Sequence, residues 1–440
     1  MSRERKRQIT GVILSLLLVS LSFAPPFNQI ISIPRSARMV VGEQMEVSLP
    51  LPRAILDKLR LSVEEMSVTE RSVIVSRQAK GYQLTALRPG RADVTVKLLG
   101  HIPLKSILVE SLPPYQLLAG GHSIGILLQS QGIMVVGFAP INDAKGNKVY
   151  PAREVGFEVG DLIMEVNGEP VYTELDLAEA IDQSGQRGEA PRFLVKRDER
   201  LRTVSVPTVL CPETGRYRIG LYVRDGVAGV GTLTVWDPES YRFAALGHII
   251  VDSDTKQAVT LRKGRIVSAS IQAVQPGRPG KPGEKIGVFD REGGISGKIE
   301  ANTFYGVFGI SDSPFVNSLY SQPLPVAYAH QVHKGPAEIL TVISGNQLER
   351  FDIFIEKVYP FRHNGKGMVL RVTDQRLLSV AGGIIQGMSG SPIIQDGRIA
   401  GAVTHVFLNN PEKGYGIFMD TMLEEMNSLN GRKLSRQKAQ

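Results

Sequence analysis

Short runs in which apolar and polar residues alternate, separated by glycine and proline, recur along most of this 440-residue chain. Because side chains of a β-strand point alternately to opposite faces, this alternation predicts strands that each bury one face. The 45 glycines and 26 prolines fit many turns between short strands better than long helices. Helical periodicity is nearly absent before about Met419. The sequence therefore predicts a mainly β protein.

The net charge of +8 is concentrated at the two ends of the chain. Residues 1–7 carry +3 and residues 432–440 carry +4, which leaves +1 for everything between them. Because this body is almost neutral, the sequence argues against nucleic-acid binding by the folded part. We expect the basic tail, residues 426–440, to be a solvated end. The single cysteine, Cys211, excludes an internal disulfide and a zinc cluster built on cysteines.

The first 33 residues have the pattern of an export segment. A basic stretch at residues 3–7 precedes an apolar run at residues 9–24, with the positive flank expected on the cytoplasmic side. A helix of that length spans about 24 Å, short of the ~30 Å hydrocarbon core, so a cleaved signal and a short anchor both fit. Pro25 should hinder cleavage after Ala24, which favours a retained anchor. We expect the bulk of the protein to work outside the cytoplasm, with membrane contact through this segment.

Residues 34–110 alternate in short steps, for example at Met45–Leu49 and Ala92–Val96, with turn residues between them. Such runs predict the strands of a small sandwich. The segment at residues 81–87, followed by Pro89-Gly90, resembles bacterial Ig-like modules. We expect a small Ig-like β domain here that serves as a spacer or docking module.

Residues 111–206 contain a sharper pattern. Asn167-Gly168 between apolar alternations predicts a tight hairpin turn, and the apolar spacing at residues 175–183 predicts a short helix. The stretch from Gly160-Asp161 to Asn167-Gly168 resembles a PDZ domain. That resemblance implies a peptide-binding groove between a strand at residues 126–128 and the helix, with a ligand added as an extra strand. The residues expected to bind the ligand are His122, Ser123, Ile124, Gly125 and Ile126. The alternative is a PDZ fold that only packs against its neighbour.

Residues 207–425 contain many short runs with the strand pattern, and this number of strands indicates a double barrel or a large sandwich. Within them, the segment Gly387-Met388-Ser389-Gly390-Ser391-Pro392 resembles the nucleophile loop of chymotrypsin-like serine peptidases. The oxyanion of a tetrahedral intermediate needs two N–H groups aimed at one point. A tight turn here would aim the N–H groups of Gly387 and Ser389 that way, because glycine tolerates unusual backbone angles.

A serine nucleophile needs a base. Of the seven histidines, His248 is favoured because it follows a run of small residues at the end of a strand pattern. His405 lies inside a strand pattern, which favours a structural role. The acid that orients the base stays open between Asp374 and the aspartates after His248, namely Asp252, Asp254 and Asp290. Spacing does not choose among them, since triads occur in several chain orders.

The order of export segment, PDZ pattern, Ala245-Leu246-Gly247-His248 and serine loop resembles the stage IV sporulation protein B peptidases of endospore-forming bacteria. The resemblance implies a triad of His248, Asp374 and Ser389 and no cofactor or metal. It also implies export into the space between the two forespore membranes, and self-cleavage. There the enzyme would cut the regulatory partner of a membrane-embedded metalloprotease, so that a late mother-cell sigma factor is processed.

Two other classes remain open from the sequence. One is a non-catalytic PDZ scaffold, in which the barrel is only an interaction surface. The other is a general envelope quality-control serine protease, which would degrade unfolded proteins broadly. A metalloenzyme is disfavoured because the sequence has neither a His-Glu-x-x-His motif nor a cysteine pair.

Overall fold

The computed structural model describes residues 36–48, 56–66, 70–78, 81–290, 294–360, 362 and 364–437, without the side chains of residues 430–437. The expected export segment lies outside these residues. Strands dominate the described chain, which confirms the predicted mainly β class. Among the described helices, none combines the length and the apolarity that a membrane crossing requires. The chain divides into two compact units, Met1–Tyr115 and Gln116–Gln440.

The first unit is a small β-sandwich, as predicted. Its strands are β1 (Ser36–Val40), β2 (Gln44–Ser48), β3 (Leu59–Glu65), β4 (Val73–Gln78), β5 (Gly81–Ala86), β6 (Gly90–Leu98) and β7 (Ile102–Leu112). They form one sheet in the order β1-β7-β6-β3 and a second in the order β2-β5-β4. Alternate side chains of both sheets meet in one shared core, which includes Met39, Leu84 and Val94.

The second unit begins with β8 (Gln116–Ala119), β9 (Ser123–Phe138), β10 (Ile141–Asn142), β11 (Lys148–Val149), α1 (Pro151–Glu154), β12 (Leu162–Val166), β13 (Glu169–Pro170), α2 (Glu174–Gln186), β14 (Arg192–Arg197), β15 (Arg200–Ser205), β16 (Val209–Cys211) and β17 (Arg216–Arg218). It continues with β18 (Leu221–Trp236), β19 (Arg242–Ala245), β20 (Leu261–Gln275), β21 (Glu284–Asp290), β22 (Ser296–Thr303), β23 (Gly306–Ser311), β24 (Leu324–Pro325), β25 (Gly335–Val342), β26 (Leu348–Val358), β27 (Met368–Val372), α3 (Gln375–Ala381), β28 (Pro392–Gln395), β29 (Arg398–Phe407), β30 (Asn410–Phe418) and α4 (Met419–Gln437).

Two barrels make up most of this unit, which confirms the predicted double barrel. In the first, the pairing order β9-β20-β22-β23-β19-β18 returns to β9 and closes the ring around Ile124, Phe243 and Ile266. The second is a closed barrel in the order β25-β26-β27-β30-β29-β28. Its core includes Phe351 and Ile393. Closure leaves neither ring with a free edge among its own strands.

The PDZ fold is inserted between two neighbouring strands of the first barrel. Strands β9 and β18 are each 16 residues long, and they pair from Ser123↔Thr232 to Phe138↔Leu221. Their inner parts belong to the barrel, while their outer parts join β12, β14 and β15 over a separate core. The sequence placed a PDZ domain at residues 111–206 and a peptidase domain after it. The structure differs, because the first half of β9 belongs to the first barrel and β8 pairs with the barrel strand β18.

Local features of the insertion follow its sequence. Asn167 and Gly168 have φ of 54° and 90°, the left-handed angles that a two-residue hairpin between β12 and β13 requires. Helix α2 begins at a capping box. The side-chain oxygen of Thr173 accepts from the Asp176 N–H, and the carboxylate of Asp176 accepts from the Thr173 N–H. Leu177 and Ile181 of its apolar face are buried in the PDZ core. The predicted turn and the predicted helix are therefore both present.

Candidate active site

A cavity of about 530 Å³ opens between the two barrels and brings the expected nucleophile and base together. The first barrel contributes Val227, Gly229 and Val230 of β18 and the segment at residues 246–251, which contains His248. The second barrel contributes Ser389 and, from β29, His405. The imidazole rings of His248 and His405 lie 5.1 Å apart between centroids. His405, expected to be structural, thus faces the site.

The loop that carries Ser389 depends on its glycines. Gly387 and Gly390 have φ of 90° and 95°, angles that side chains with a Cβ rarely adopt. A Cβ on Gly390 would overlap the carbonyl oxygen of Thr232. Within the loop, the Met388 N–H donates to the Ile385 carbonyl at 3.1 Å. The Gly-x-Ser-Gly spacing is therefore required by the backbone path.

Three hydrogen bonds from the first barrel fix the orientation of the peptides around Ser389. The Lys285 N–H donates to the Gln386 carbonyl at 3.0 Å. Because that peptide is trans, the Gly387 N–H points the opposite way. Thr232 donates its hydroxyl to the Gly387 carbonyl at 2.7 Å and its N–H to the Ser389 carbonyl at 3.0 Å. Among the described residues, the N–H groups of Gly387 and Ser389 have no hydrogen-bond partner, as an oxyanion site requires.

The hydroxyl of Ser389 donates to the Thr404 carbonyl on β29 at 2.8 Å. In this conformation it is held beside the cavity instead of being bonded to His248. Catalytic hydrogen bonds are often formed only when substrate is bound. A rotation of the Ser389 side chain is therefore the step that would bring the hydroxyl to the imidazole.

His248 is oriented by backbone rather than by a carboxylate. Its Nδ1 lies 2.9 Å from the Ile249 carbonyl, which can only accept, so Nδ1 carries the proton and Nε2 is free to accept one. The side-chain amide of Asn302 fixes Ile250, two residues after His248. It accepts from the Ile250 N–H at 2.8 Å and donates to the Ile250 carbonyl at 2.9 Å. Burial lowers the pKa of the His248 imidazole. A neutral His248 is thus poised as a base.

Asp374 is the expected triad member that the structure does not place in this cavity. It is the N-cap of α3, where its carboxylate accepts from the N–H groups of Arg376 and Leu377 at 2.9 and 3.1 Å. Within the described part of the chain, no carboxylate forms an ion pair with His248. An aspartate before a short helix has a strong local use as a cap, and Asp374 has that use here.

The alternative aspartates have other partners. Asp252 is almost fully buried and accepts from the guanidinium of Arg224 at 2.7 Å and from the Thr255 N–H at 2.9 Å. Asp254 also pairs with Arg224, at 2.7 Å. Asp290, at the end of β21, does not line the cavity. Arg224 therefore joins β18 to the segment that follows His248.

The residues expected to form the PDZ ligand loop lie in the first barrel instead. Ser123, Ile124, Gly125 and Ile126 are consecutive residues of β9 that pair with β18. The last three also pair with β20, and Ile126 lines the active-site cavity. The side chain of His122 contacts the Val316 carbonyl at 3.1 Å, and burial lowers its pKa. These five residues are consequently not beside helix α2, and this prediction was wrong.

The structure shows a different groove next to α2, with a cavity of about 380 Å³. Leu177 and Ile181 line it from the helix, and Ile219–Leu221 lines it from the start of β18. Gly220 has a φ of 78°, which lets the chain turn into the strand. Ile219-Gly220-Leu221 has the same pattern as Ile124-Gly125-Ile126. The sequence therefore contained two equivalent candidates for the ligand loop.

Two family models and several solved structures match parts of this chain. Residues 215–423 match the family model described as SpoIVB peptidase S55, and residues 145–197 match a PDZ domain model. Among solved structures, the PDZ domain of the SdrC-like protein from Listeria monocytogenes is 20% identical, over 22% of this chain and 90% of that chain, with a TM-score of 0.18. The Rv3671c protease from M. tuberculosis, in its active form, is 12% identical, over 46% of this chain and 74% of that chain, with a TM-score of 0.25.

The double barrel, the serine loop and the family match together define a serine endopeptidase that contains a PDZ domain. Residues 215–423 are similar to the SpoIVB peptidase S55 family, whose model they match. The family resemblance drawn from the sequence is confirmed.

Proposed function

We propose that this endopeptidase acts in sporulation signalling, where it cuts itself and the regulatory partner of a membrane-embedded metalloprotease so that a late sigma factor is processed. The family match over residues 215–423 supports this role most directly. We also propose that the apolar segment at residues 9–24 exports the protein into the space between the forespore membranes and anchors it there at first. An extracytoplasmic peptidase of this kind needs no cofactor.

The proposed mechanism is acyl transfer. Ser389 Oγ attacks the scissile carbonyl while Nε2 of His248 takes its proton, and the N–H groups of Gly387 and Ser389 hold the oxyanion. The imidazolium then gives its proton to the leaving amine, and water releases the acyl-enzyme. In place of the Asp374 carboxylate, the Ile249 carbonyl keeps the proton of His248 on Nδ1. The imidazolium of His248 therefore lacks the stabilisation that a neighbouring carboxylate provides in the usual triad.

The proposed role of the PDZ insertion is to recruit a substrate segment in extended form. The groove between α2 and the start of β18 supports this, because it offers apolar side chains beside the end of a strand. The strand β18 also runs from this groove to Thr232, whose hydroxyl donates to the Gly387 carbonyl, so one strand connects the groove with the loop that carries Ser389.

The test compares one defined cleavage with broad degradation. The full chain, as wild type and as Ser389→Ala, is incubated with the membrane metalloprotease complex and separately with an unfolded protein, and new N-termini are identified by mass spectrometry. We expect the wild type alone to cut one or two bonds in the regulatory subunit and in itself. Broad cleavage of the unfolded protein would favour an envelope quality-control protease. An active Ser389→Ala variant in a sporulation assay would favour a scaffold.

A further inference from the structure

The active-site cavity contains basic side chains and no acidic ones. Among the described residues that line it, the side chains that can carry charge at moderate pH are those of His248, Lys366 and His405, and none is aspartate or glutamate. The pKa of His405 is lowered to about 4, first by partial burial and then by His248 and Lys366, so this ring is neutral at pH 7. Lys366 therefore supplies the positive charge of the cavity.

Lys366 differs from the other basic residues on this side of the second barrel. Arg371 and Lys413 share the carboxylate of Glu356, at 2.9 and 2.7 Å. In the described part of the chain, the ammonium group of Lys366 has no ion-pair partner, and it lies 5.2 Å from the centroid of the Tyr415 ring. An unpaired ammonium group at the wall of a cleft attracts a carboxylate from a ligand.

The position of Lys366 directs this attraction to the scissile region of a substrate. Thr404 accepts the hydroxyl of Ser389 at 2.8 Å through its carbonyl, and its own hydroxyl contacts the Gly365 carbonyl at 3.5 Å. One residue thus bridges the nucleophile and the segment that carries Lys366. His405, the next residue of β29, lies on the same wall. A substrate side chain that enters the cavity beside Ser389 therefore approaches Lys366 and the neutral ring of His405.

We propose that Lys366 selects substrates with an aspartate or glutamate side chain adjacent to the scissile bond. The proposal deepens the proposed function and rests on it only for the identity of Ser389 as nucleophile. A hydrogen bond to a charged partner is stronger than one to a neutral amide. We therefore expect acidic residues to exceed asparagine and glutamine by roughly 10- to 100-fold in kcat/KM.

The experiment measures cleavage of a peptide library by the full chain, with each position around the cut varied among aspartate, glutamate, asparagine, glutamine, lysine and arginine. Lys366→Gln should lose the acidic preference, measured as the ratio of kcat/KM on acidic peptides to kcat/KM on the matching amide peptides. Lys366→Glu should shift the preference toward lysine and arginine. Lys413→Gln, which removes a basic residue already paired with Glu356, is the matched control and should keep the wild-type preference. No acidic preference in the wild type, or an unchanged one in Lys366→Gln, would overturn the proposal.

A binding measurement separates this proposal from the proposed function. The Ser389→Ala chain and the Ser389→Ala/Lys366→Gln chain are each immobilised, and the peptides of the same library that each one retains are identified. Peptides bound to the PDZ groove should be retained equally by both chains and therefore do not affect the difference. Enrichment of acidic peptides by the first chain alone supports the selection by Lys366, even if no peptide is cut by the wild type. Equal retention by both chains would contradict it, whatever the catalytic result.

Discussion

Replacing Thr232 with valine tests whether the first barrel holds the oxyanion loop in place. Thr232 is fully buried, and its hydroxyl donates to the Gly387 carbonyl at 2.7 Å. Valine keeps the shape of the side chain and leaves that carbonyl without its donor, which costs about 1–3 kcal/mol. If this free energy is lost from the active arrangement of the loop, the labelling rate falls by roughly 5- to 150-fold.

Thr234 provides a matched control on the same strand. It lies two residues further along β18 and is equally buried, but among the described residues its hydroxyl has no hydrogen-bond partner. Thr234→Val should therefore be neutral or slightly stabilising, because it removes an unsatisfied polar group. The assay is the rate at which a fluorophosphonate adds to Ser389, followed by intact mass, together with urea unfolding. Equal rates and equal stabilities for the two variants would refute the role of Thr232.

Other predictions follow from contacts around the site. Gly390→Ala should abolish fluorophosphonate labelling because its Cβ meets a carbonyl oxygen, whereas Gly397→Ala, also at positive φ but with open space around it, should keep it. Arg224→Met leaves a buried carboxylate unpaired and should cost about 3–5 kcal/mol in urea unfolding, against less than about 1 kcal/mol for the exposed Arg265→Met. Burial lowers the pKa of His248, so labelling should rise with pH around a midpoint below about 6.5; a midpoint above that value would contradict a buried base.

The same shift has a consequence for stability. The native state binds fewer protons than the unfolded state between the lowered pKa of His248 and the ordinary value near 6.5. The contribution of this residue is therefore fully present above about pH 6.5 and is lost as the pH falls through that window. His405, whose pKa is lowered to about 4, acts in the same direction over a window from about 6.5 to 4.

Features encoded within a few residues were predictable from the sequence. The Asn167-Gly168 turn depends on two residues with left-handed angles. The loop around Ser389 depends on glycines at fixed offsets from the nucleophile, and Gly390 is required because a carbonyl lies against it. His248 was favoured because it lies three residues after the end of β19, beyond a run of small residues. In each case, the sequence signal lies within a few residues, although the carbonyl against Gly390 comes from Thr232 of the other barrel.

Features that depend on distant pairing were not predictable. β9 and β18 are neighbours in the barrel although the whole PDZ insertion separates them in sequence. Nothing in the local pattern of Ile124-Gly125-Ile126 distinguishes a barrel strand from a PDZ ligand loop. Asp374 precedes a helix of seven residues, which is too short to show a helical period. The approach of His405 to His248 depends on the packing of one barrel against the other.

The rate of fluorophosphonate addition in Asp374→Asn and His248→Gln tests the central claim, which is that His248 activates Ser389 with a backbone carbonyl as its orienting partner. Asparagine caps a helix as well as aspartate does, so Asp374→Asn removes the negative charge without unfolding α3. The structure predicts that Asp374→Asn labels at nearly the wild-type rate while His248→Gln loses labelling. If Asp374→Asn loses as much as His248→Gln while both remain folded, Asp374 reaches the histidine in the working enzyme and the assignment of the Ile249 carbonyl is wrong.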